Sequence, residues 1–394
     1  MKWILILVFA TVMMACGDPR VKMVAQFMGG EPELDGEEVE VPFSIGGSHI
    51  INLTARFNDR DIPIVLDTGG MTILDSALAD SMKLELVEIP DESVHLAKVD
   101  VVALDGASVH GLKAAVMDFS GMFGMSKFGL GGMIGSDWLR HFQTTFDYER
   151  GSVMFRQPEK LRAKLPNDHL LDMTIVMPYF PTVETVFNGD VTLKGIIDTG
   201  LHYGFVLPMA QLDNMPPEQR EKAIDAEGWF AKWPFPGPNR NKLAVVDEIR
   251  LGDIVLNNVP VIFADLPSFT GDDRLLIGKY FLDDYITTLD YEHEQVLLRE
   301  APGMSQSIVF SVGLNLTHKG DEWKVCGLWQ GCPAQRAGIQ LDDIVLAING
   351  TPVAELTRHE VDRWLVDPEV KSIELRVRGA DGERTMLLEK EELL

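Results

Sequence analysis

The chain has 394 residues, and 46% of them are apolar, which is enough for two or three domains with hydrophobic cores of their own. Acidic residues number 60 and basic residues 35, so the net charge is −25. This balance argues against nucleic-acid binding and against direct adhesion to anionic lipid surfaces, because both need a positively charged footprint.

The amino-terminal segment has the pattern of an export signal. Lys2 precedes an apolar run at residues 3–15, so residues 1–15 are typical of a signal peptide and too short to span a bilayer. Ala15-Cys16-Gly17 closes the run and resembles a bacterial lipobox. The resemblance implies that Cys16 carries lipid and that the chain is a membrane-anchored lipoprotein of the bacterial periplasm. Ordinary signal cleavage is the alternative, and both predict an exported mature chain.

A tether is predicted to lead into a first β-rich unit. Residues 16–40 include an acidic run at 31–40 with little periodicity, which predicts a solvated acidic tether. Strands are predicted next, at 49–57 from their alternation and at 62–66 from their apolar run.

The rest of this unit is predicted to contain one helix and further strands. A helix capped by Asp75 is predicted at 75–84, and two or three strands at 93–118 around Asp105-Gly106. Residues 119–132, rich in Gly, Met and Phe, lack the Lys-Ser/Thr of a phosphate-binding loop. They are predicted to be a loop near a cleft.

One tripeptide occurs twice, each time at the end of an apolar run. The runs end in Asp67-Thr68-Gly69 and Asp198-Thr199-Gly200. Ile-Gly follows each motif at a distance, within segments 133–155 and 276–298 that both carry Thr-Thr-x-Asp-Tyr-Glu. This is a duplication of a unit of about 130 residues, too long for a solenoid repeat, and it predicts two homologous lobes. A repeated β-module without chemistry is the alternative interpretation.

The second unit repeats the strand-rich pattern. Strands are predicted at 174–187, 190–197 and 243–266, and a helix at 216–226 with a proline near its start. An aromatic, proline-rich stretch lies between them at 228–242. Two interpretations stay open for it: a surface loop packed by its own aromatic side chains, or an apolar wall or flap for peptide side chains.

The paired motifs resemble the pepsin and retropepsin type of aspartic protease. The signature is Asp-Thr-Gly followed later by two hydrophobic residues and Gly, and it covers about residues 41–300 in both halves. The resemblance implies a first lobe at 41–160, a second lobe at 161–300, and a flap near 86–102 that closes over the substrate. Both motifs lie in one chain, so the active site could form in a monomer.

The resemblance also implies the roles of individual residues. Asp67 and Asp198 would share one proton and activate a water, because two adjacent carboxylates cannot both ionise at low cost. Thr68 and Thr199 would hydrogen-bond across the lobes, and Gly69 and Gly200 would let the backbone turn tightly. The family usually has Ser, Thr or Ala after the glycine. Here Gly70 and Leu201 stand there, so neither offers a hydroxyl to an aspartate.

The last 90 residues, 305–394, resemble a PDZ domain. Ser311-Val312-Gly313-Leu314 matches its carboxylate-binding loop, and residues 333–350 match its core. Residues 356–366 are predicted to be the helix that lines the groove. The resemblance implies that Val312, Gly313 and Leu314 bind the C-terminal end of a peptide that is added as a strand. The alternative is that the groove packs on the protease lobes.

The cysteines and histidines do not predict a metal centre. With Cys16 lipidated, Cys326 and Cys332 remain, and the sequence leaves open whether they form a disulfide. Nine scattered histidines include none at metal-ligand spacing, so no metal and no cofactor are predicted. His202 follows Asp198 by four residues, and a surface or core role is favoured for it over a place in the cleft.

Together these patterns predict a mainly β chain of two homologous aspartic-protease-type lobes followed by a PDZ-like α/β domain. The leading hypothesis is an exported aspartic endopeptidase whose PDZ domain positions polypeptide substrates or partners. The alternative is a catalytically inactive, protease-like scaffold that binds C-terminal peptides. A third hypothesis, a glycosidase-like hydrolase, is disfavoured by the Asp-Thr-Gly context.

Overall fold

A computed structural model describes residues 29–45, 50–88, 95–119, 129–158, 165–176, 179–232, 239–266, 271, 273–301, 308–319, 322–356 and 358–394. These residues form two β-barrel lobes and a smaller carboxy-terminal domain. In this part of the chain no helix is long and apolar enough to cross a membrane. Cys16 lies outside the described residues, as do the signal peptide and parts of the predicted flap and of the 119–132 loop.

The first lobe is a closed barrel. Strands β4, β5, β10, β6, β9 and β8 pair in that order, and β8 pairs back to β4. The predicted helix is confirmed, and Asp75 caps it by accepting hydrogen bonds from the N–H groups of Ala77 and Leu78. The elements are β1 Glu31–Leu34, β2 Glu38–Pro42, β3 Ser44–Ile45, β4 Ile51–Phe57, β5 Arg60–Leu66, β6 Ile73–Asp75, α1 Ser76–Ser81, β7 Leu86–Glu88, β8 His95–Leu104, β9 Ala107–Met117, β10 Gly132–Ile134, α2 Ser136–Leu139, β11 Gln143–Asp147 and β12 Ser152–Arg156.

The second lobe repeats this barrel. Strands β14, β15, β20, β16, β19 and β18 pair in the equivalent order, and β18 pairs back to β14. The elements are β13 Asp168–Val176, β14 Phe180–Phe187, β15 Val191–Ile197, β16 Phe205–Pro208, a 3-10 helix Met209–Asn214, α3 Pro217–Arg220, β17 Ile224–Gly228, β18 Asn241–Leu251, β19 Ile254–Ala264, β20 Arg274–Ile277, α4 Lys279–Leu282, β21 Tyr285–Asp290 and β22 Gln295–Glu300.

A sheet beneath the barrels joins the two lobes. Its strands run in the order β2, β12, β11, β21, β22 and β13, and each neighbouring pair is antiparallel. The repeated Thr-Thr segments lie at its centre, where Thr145 pairs with Thr288 and their hydroxyl oxygens are 2.9 Å apart. These two residues are equivalent in the repeat, so the approximate two-fold axis that relates the lobes passes between them.

The predicted acidic tether is wrong for residues 31–34 and 38–40, which lie in strands. Strand β1 pairs with β9, and β2 pairs with β12 at the edge of the interlobe sheet. Val39 and Val41 alternate with glutamates and turn inward, while Glu40 accepts a hydrogen bond from Ser152 and Glu38 from Arg156. The acidic composition hid this strand because its charged side chains face solvent and its apolar face is short.

The predicted helix at 216–226 is also wrong beyond its first turn. It ends at Arg220, and Ile224–Gly228 is strand β17 instead. Ile224 and Asp225 pair with β18, whereas residues 226–228 pair with β25 of the carboxy-terminal domain. Tertiary pairing overrides the helical pattern because β17 completes two sheets at once.

The carboxy-terminal domain is a small sheet with a nine-residue helix, α6, against it. Its elements are β23 Phe310–Ser311, β24 Leu314–Lys319, β25 Glu322–Trp329, α5 Pro333–Arg336, β26 Ile344–Ile348, β27 Thr351–Pro352, a 3-10 helix Val353–Glu355, α6 Arg358–Val366, β28 Ser372–Gly379, β29 Gly382–Glu389 and β30 Glu391–Glu392. Cys326 and Cys332 are buried free thiols, so they form no disulfide. Cys332 instead donates to the Gly313 carbonyl and caps α5.

The aromatic residues that follow β17 form part of the interface between lobe two and the carboxy-terminal domain. Trp229 donates its N–H to the Cys326 carbonyl over 2.9 Å, and its own carbonyl accepts from Asn315. Phe230 is buried and stacks on Trp329, with ring centroids 3.8 Å apart. For residues 228–231 the aromatic side chains serve a domain interface, which neither predicted interpretation included, and residues 233–238 lie outside the described part of the chain.

Phe230→Ala should therefore destabilise the interface between lobe two and the carboxy-terminal domain. Removing a buried, stacked phenyl ring costs about 3 kcal/mol, and we expect denaturant unfolding to split into two transitions. Leu387→Ala, at a side chain that is 65% exposed, is the matched control. An unchanged, single transition in Phe230→Ala would contradict this account of the interface.

Candidate active site

Asp67 and Asp198 stand at equivalent strand ends. Asp67 follows β5 and Asp198 follows β15, and each backbone N–H is held from the neighbouring parallel strand. Asp67 donates to the Ile134 carbonyl over 3.0 Å, and Asp198 to the Ile277 carbonyl over 2.8 Å. These two isoleucines belong to the hydrophobic-hydrophobic-Gly segments. Those segments therefore fix the backbone positions of the two aspartates.

The two carboxyl groups face one another across the glycines of the motifs. A Cβ on Gly69 would lie 2.4 Å from Cγ of Asp198, and a Cβ on Gly200 would lie 2.4 Å from Cγ of Asp67. Any side chain at either glycine would therefore push the opposite carboxyl away. The Gly69 N–H donates to Oδ1 of Asp67 over 2.8 Å, and the Gly200 N–H to Oδ1 of Asp198 over 2.9 Å.

The threonines of the motifs join the lobes through four hydrogen bonds. Thr68 donates its hydroxyl to the Ile197 carbonyl over 2.6 Å, and Thr199 donates its hydroxyl to the Leu66 carbonyl over 3.0 Å. Each hydroxyl also accepts the backbone N–H of the other threonine over 3.0 Å. Both side chains are buried, so this reciprocal network fixes the two aspartates relative to each other.

Gly135 and Gly278 are required by close backbone approach. A Cβ on Gly135 would lie 2.4 Å from the Gly70 carbonyl oxygen, and one on Gly278 would lie 2.2 Å from the Tyr203 carbonyl oxygen. The loop after each Asp-Thr-Gly thus crosses directly over the later glycine. This explains why the chain repeats the glycine at the same place in both lobes.

The electrostatics of the pair favour one shared proton. Asp198 is only 7% exposed, and burial followed by the nearby charge of Asp67 raises the pKa of Asp198 well above its usual range. Burial also raises the pKa of Asp67, but a hydrogen bond from Asp198 and the N–H groups of Gly69 and Gly200 oppose that rise. Two carboxyl groups this close therefore share one proton, and the remaining charge belongs to the pair.

Gly70 and Leu201, the residues that follow the two Asp-Thr-Gly motifs, have different surroundings. A Cβ at Gly70 would lie 2.7 Å from Oδ2 of Asp67 and 2.8 Å from Sδ of Met133, so a side chain there would crowd the carboxylate. Leu201 is buried in a core cluster with Tyr203 and Val206. In lobe two, a packed apolar side chain therefore directly follows the motif.

Sequence reasoning missed the supports beneath the dyad. Ser136 donates its hydroxyl to the Thr68 carbonyl over 2.5 Å and lies 3.3 Å from the hydroxyl of Tyr291. Tyr291 is the tyrosine of the second Thr-Thr-x-Asp-Tyr-Glu segment, and its counterpart Tyr148 lies against Lys279, with 5.5 Å from Nζ to the ring. The repeated tyrosine was the sequence signal that could have indicated these supports. Each tyrosine contacts the first residue of a short helix in the other lobe, α2 or α4.

A second buried carboxyl, Asp137, supports the lobe-one loop. Its Oδ1 accepts both the N–H and the hydroxyl of Thr72, each over 2.8 Å. Its Oδ2 is buried without a hydrogen-bond partner in the described part of the chain. Burial raises the pKa of Asp137 to about 6, although the hydrogen bonds from Thr72 oppose the rise.

The raised pKa of Asp137 predicts that stability falls as pH rises from about 4 to about 6. The folded chain holds this proton more tightly than the unfolded chain, so folding is penalised once the unfolded carboxyl ionises near its ordinary value of 3.8. Asp137→Asn should remove up to about 3 kcal/mol of this pH-dependent loss. Denaturant unfolding of both proteins at several pH values measures it, with Asp100→Asn as the exposed control. A difference that stays constant over that pH range would contradict the prediction.

The predicted peptide-binding loop lies in the carboxy-terminal domain. Val312, Gly313 and Leu314 are buried and line a pocket of the carboxy-terminal domain together with residues of lobe two. The Gly313 N–H donates to the Ser311 hydroxyl over 3.0 Å, so one of the expected carboxylate donors already has a partner. His202 also lines this pocket, which sequence reasoning did not anticipate.

Comparison with known proteins identifies one region of the chain by sequence. Residues 325–379 match the family model described as the PDZ domain. No curated protein matches the chain. Among solved structures, that of basic 7S globulin from soybean aligns with 67% of this chain and 95% of its own, at 12% identity and a TM-score of 0.36. The chain is thus mainly β, with two barrel lobes followed by a PDZ domain.

Proposed function

We propose that the chain is an aspartic-type endopeptidase whose PDZ domain holds polypeptide substrates or partners. The observation that carries the proposal is the juxtaposition of Asp67 and Asp198 across Gly69 and Gly200, in a buried setting that favours a single shared proton. The pair is fixed by the reciprocal bonds of Thr68 and Thr199, so it is preorganised for chemistry that needs both protonation states at once.

In the proposed mechanism a water lies between the two carboxyl groups. The ionised member of the pair takes a proton from the water while the water oxygen bonds to the carbonyl carbon of the scissile amide. The protonated member donates its proton to the carbonyl oxygen as negative charge develops there. Collapse of the tetrahedral intermediate breaks the C–N bond, and the amine leaves with the proton that the ionised member took from the water. One hydroxyl proton of the intermediate returns to the other carboxyl group, which restores the shared proton and leaves a carboxylic acid product. The chemistry needs no cofactor.

A second candidate is a binding scaffold without catalysis. The PDZ match at residues 325–379 favours peptide capture in its own right. The apolar Leu201, packed beside the second motif, is the feature that favours loss of activity. This candidate predicts that C-terminal peptides bind and that no protein is cut.

We also propose that the mature chain is exported and held at a membrane by lipid on Cys16, because a short apolar segment ends at Ala15-Cys16-Gly17. Labelling of producing cells with a fatty-acid analogue, for the unsubstituted chain and Cys16→Ser, tests the proposal. Label on the chain that is absent from Cys16→Ser supports it, and equal label on both overturns it.

The peptidase proposal is tested with a dye-labelled, unfolded protein as substrate. Release of soluble dye should occur in a mildly acidic range and should persist with a metal chelator and with reagents that modify serine or cysteine nucleophiles. No release between acid and neutral pH would favour the scaffold, and release abolished by the chelator would favour another mechanism.

A further inference from the structure

The PDZ domain and lobe two share one pocket. The PDZ loop at residues 311–315 and the last residues of α6 form one side of it. His202, Tyr203 and Tyr280 of lobe two form the other side. The pocket at the PDZ carboxylate loop is therefore completed by a different domain.

The lobe-two side of the pocket is built by the same loops that hold Asp198. His202 and Tyr203 follow Asp198 in the chain, and Tyr280 follows the repeated glycine Gly278. The Tyr280 N–H donates to the His202 carbonyl over 3.2 Å. The rings of His202 and Tyr203 are 3.8 Å apart, and those of His202 and Tyr280 are 6.0 Å apart at 79°. The wall is thus a packed aromatic group and not a set of loose side chains.

The two sides of the pocket are held at a fixed separation. Strand β17 of lobe two pairs with β25 of the PDZ domain, and Gln330 donates its N–H to the Asp225 carbonyl over 2.8 Å. The stacked rings of Phe230 and Trp329 form part of the pocket lining and of the interface at once. A ligand in the PDZ pocket must therefore contact lobe two.

The described lining residues provide apolar surface for a side chain and place no negative charge beside a carboxylate. None of the described lining residues is Asp or Glu, although the chain carries 60 acidic residues. Apolar side chains such as Ile262 and Leu365 line the pocket beside the imidazole ring of His202. Among the parts of a polypeptide, a C-terminal residue with an aliphatic side chain meets both conditions.

We propose that His202 and Tyr280 of lobe two are specificity-determining residues for the C-terminal residue held by the PDZ loop. This inference rests on the peptide-binding part of the proposed function and does not require cleavage. The bound carboxylate lies at the loop of Val312–Leu314, and the last side chain packs against the aromatic wall of lobe two. The PDZ domain alone therefore has only half of its ligand site.

The test measures binding by the full chain in an Asp67→Asn background, which removes cleavage and leaves the pocket untouched. The probe is a fluorescent peptide ending in leucine with a free carboxylate, beside the same peptide with a terminal amide, measured by anisotropy. His202→Ala and Tyr280→Ala should each weaken binding about tenfold, the size of one lost aromatic contact in a closed pocket. Tyr280→Phe should stay within about threefold, because it keeps the ring.

His169→Ala, elsewhere in lobe two and paired with Asp253, is the matched control and should bind as the background does. Thermal unfolding of each variant confirms that the lobes are folded. Equal binding by His202→Ala, Tyr280→Ala and the control overturns the inference, as does equal binding of the amide peptide or no binding at all. Loss of binding in the two variants supports the inference even if the unsubstituted chain cuts no protein, so the two proposals can fail separately.

Discussion

Asp67→Asn or Asp198→Asn should reduce cleavage of an unfolded protein at least about a thousandfold while the chain remains folded. An amide at either position cannot share a proton with the remaining carboxylate, so the pair loses its base or its acid. The hydrogen bonds that Gly69 and Gly200 donate to Oδ1 can be kept by the amide oxygen. The initial rate of dye release measures the loss.

The same variants should be at least as stable as the unsubstituted chain at neutral pH. Burial raises the pKa of Asp198, so its ionisation costs folding free energy that an amide does not cost. Asp172→Asn, on an exposed strand position of lobe two, is the control for an unrelated charge change. Full cleavage by either dyad variant would remove the aspartates from the mechanism.

Thr68→Val should lower the free energy of unfolding by about 2 to 4 kcal/mol. The substitution keeps the shape of the side chain but removes the hydroxyl that donates to Ile197 and accepts from Thr199. Two buried backbone groups then lose their partners, and such groups cost more than the bond that was lost. Denaturant unfolding measures the change, and cleavage should fall at least about tenfold because the dyad is no longer held.

Thr68→Ser is the matched variant because it restores the hydroxyl. We expect it to recover most of the stability and activity that Thr68→Val loses. If the serine variant were as impaired as the valine variant, restoring the hydroxyl would not restore stability or activity, and the hydrogen-bond network would not account for the role of Thr68.

The dyad could be predicted from the sequence because its geometry is local and duplicated. Asp67 and Asp198 end equivalent strands, and every group that fixes them lies in the short segments that the chain repeats. The approximate two-fold symmetry then brings the repeats together at Thr145 and Thr288. The catalytic roles of these residues stay predictions.

What the sequence could not predict depends on contacts between distant segments. Strand β2 is recognisable only beside β12, since its glutamates dominate its composition. Strand β17 follows a helical pattern until its pairing with the PDZ domain is known. No local sequence pattern places His202 at the pocket, because the pocket is formed by residues of two domains. The lobe boundaries near 160 and 300 also stay predictions, since residues 159–164 and 302–307 lie outside the described chain.

The most direct test of the peptidase proposal identifies the bonds that are cut. The unsubstituted chain, Asp67→Asn and Asp198→Asn are each incubated with an unfolded protein mixture from mildly acidic to neutral pH, and new termini are sequenced by mass spectrometry. The account predicts new internal termini, with a shared side-chain preference, that appear only with the unsubstituted chain. Identical termini in all three incubations, or none in any of them, would contradict it.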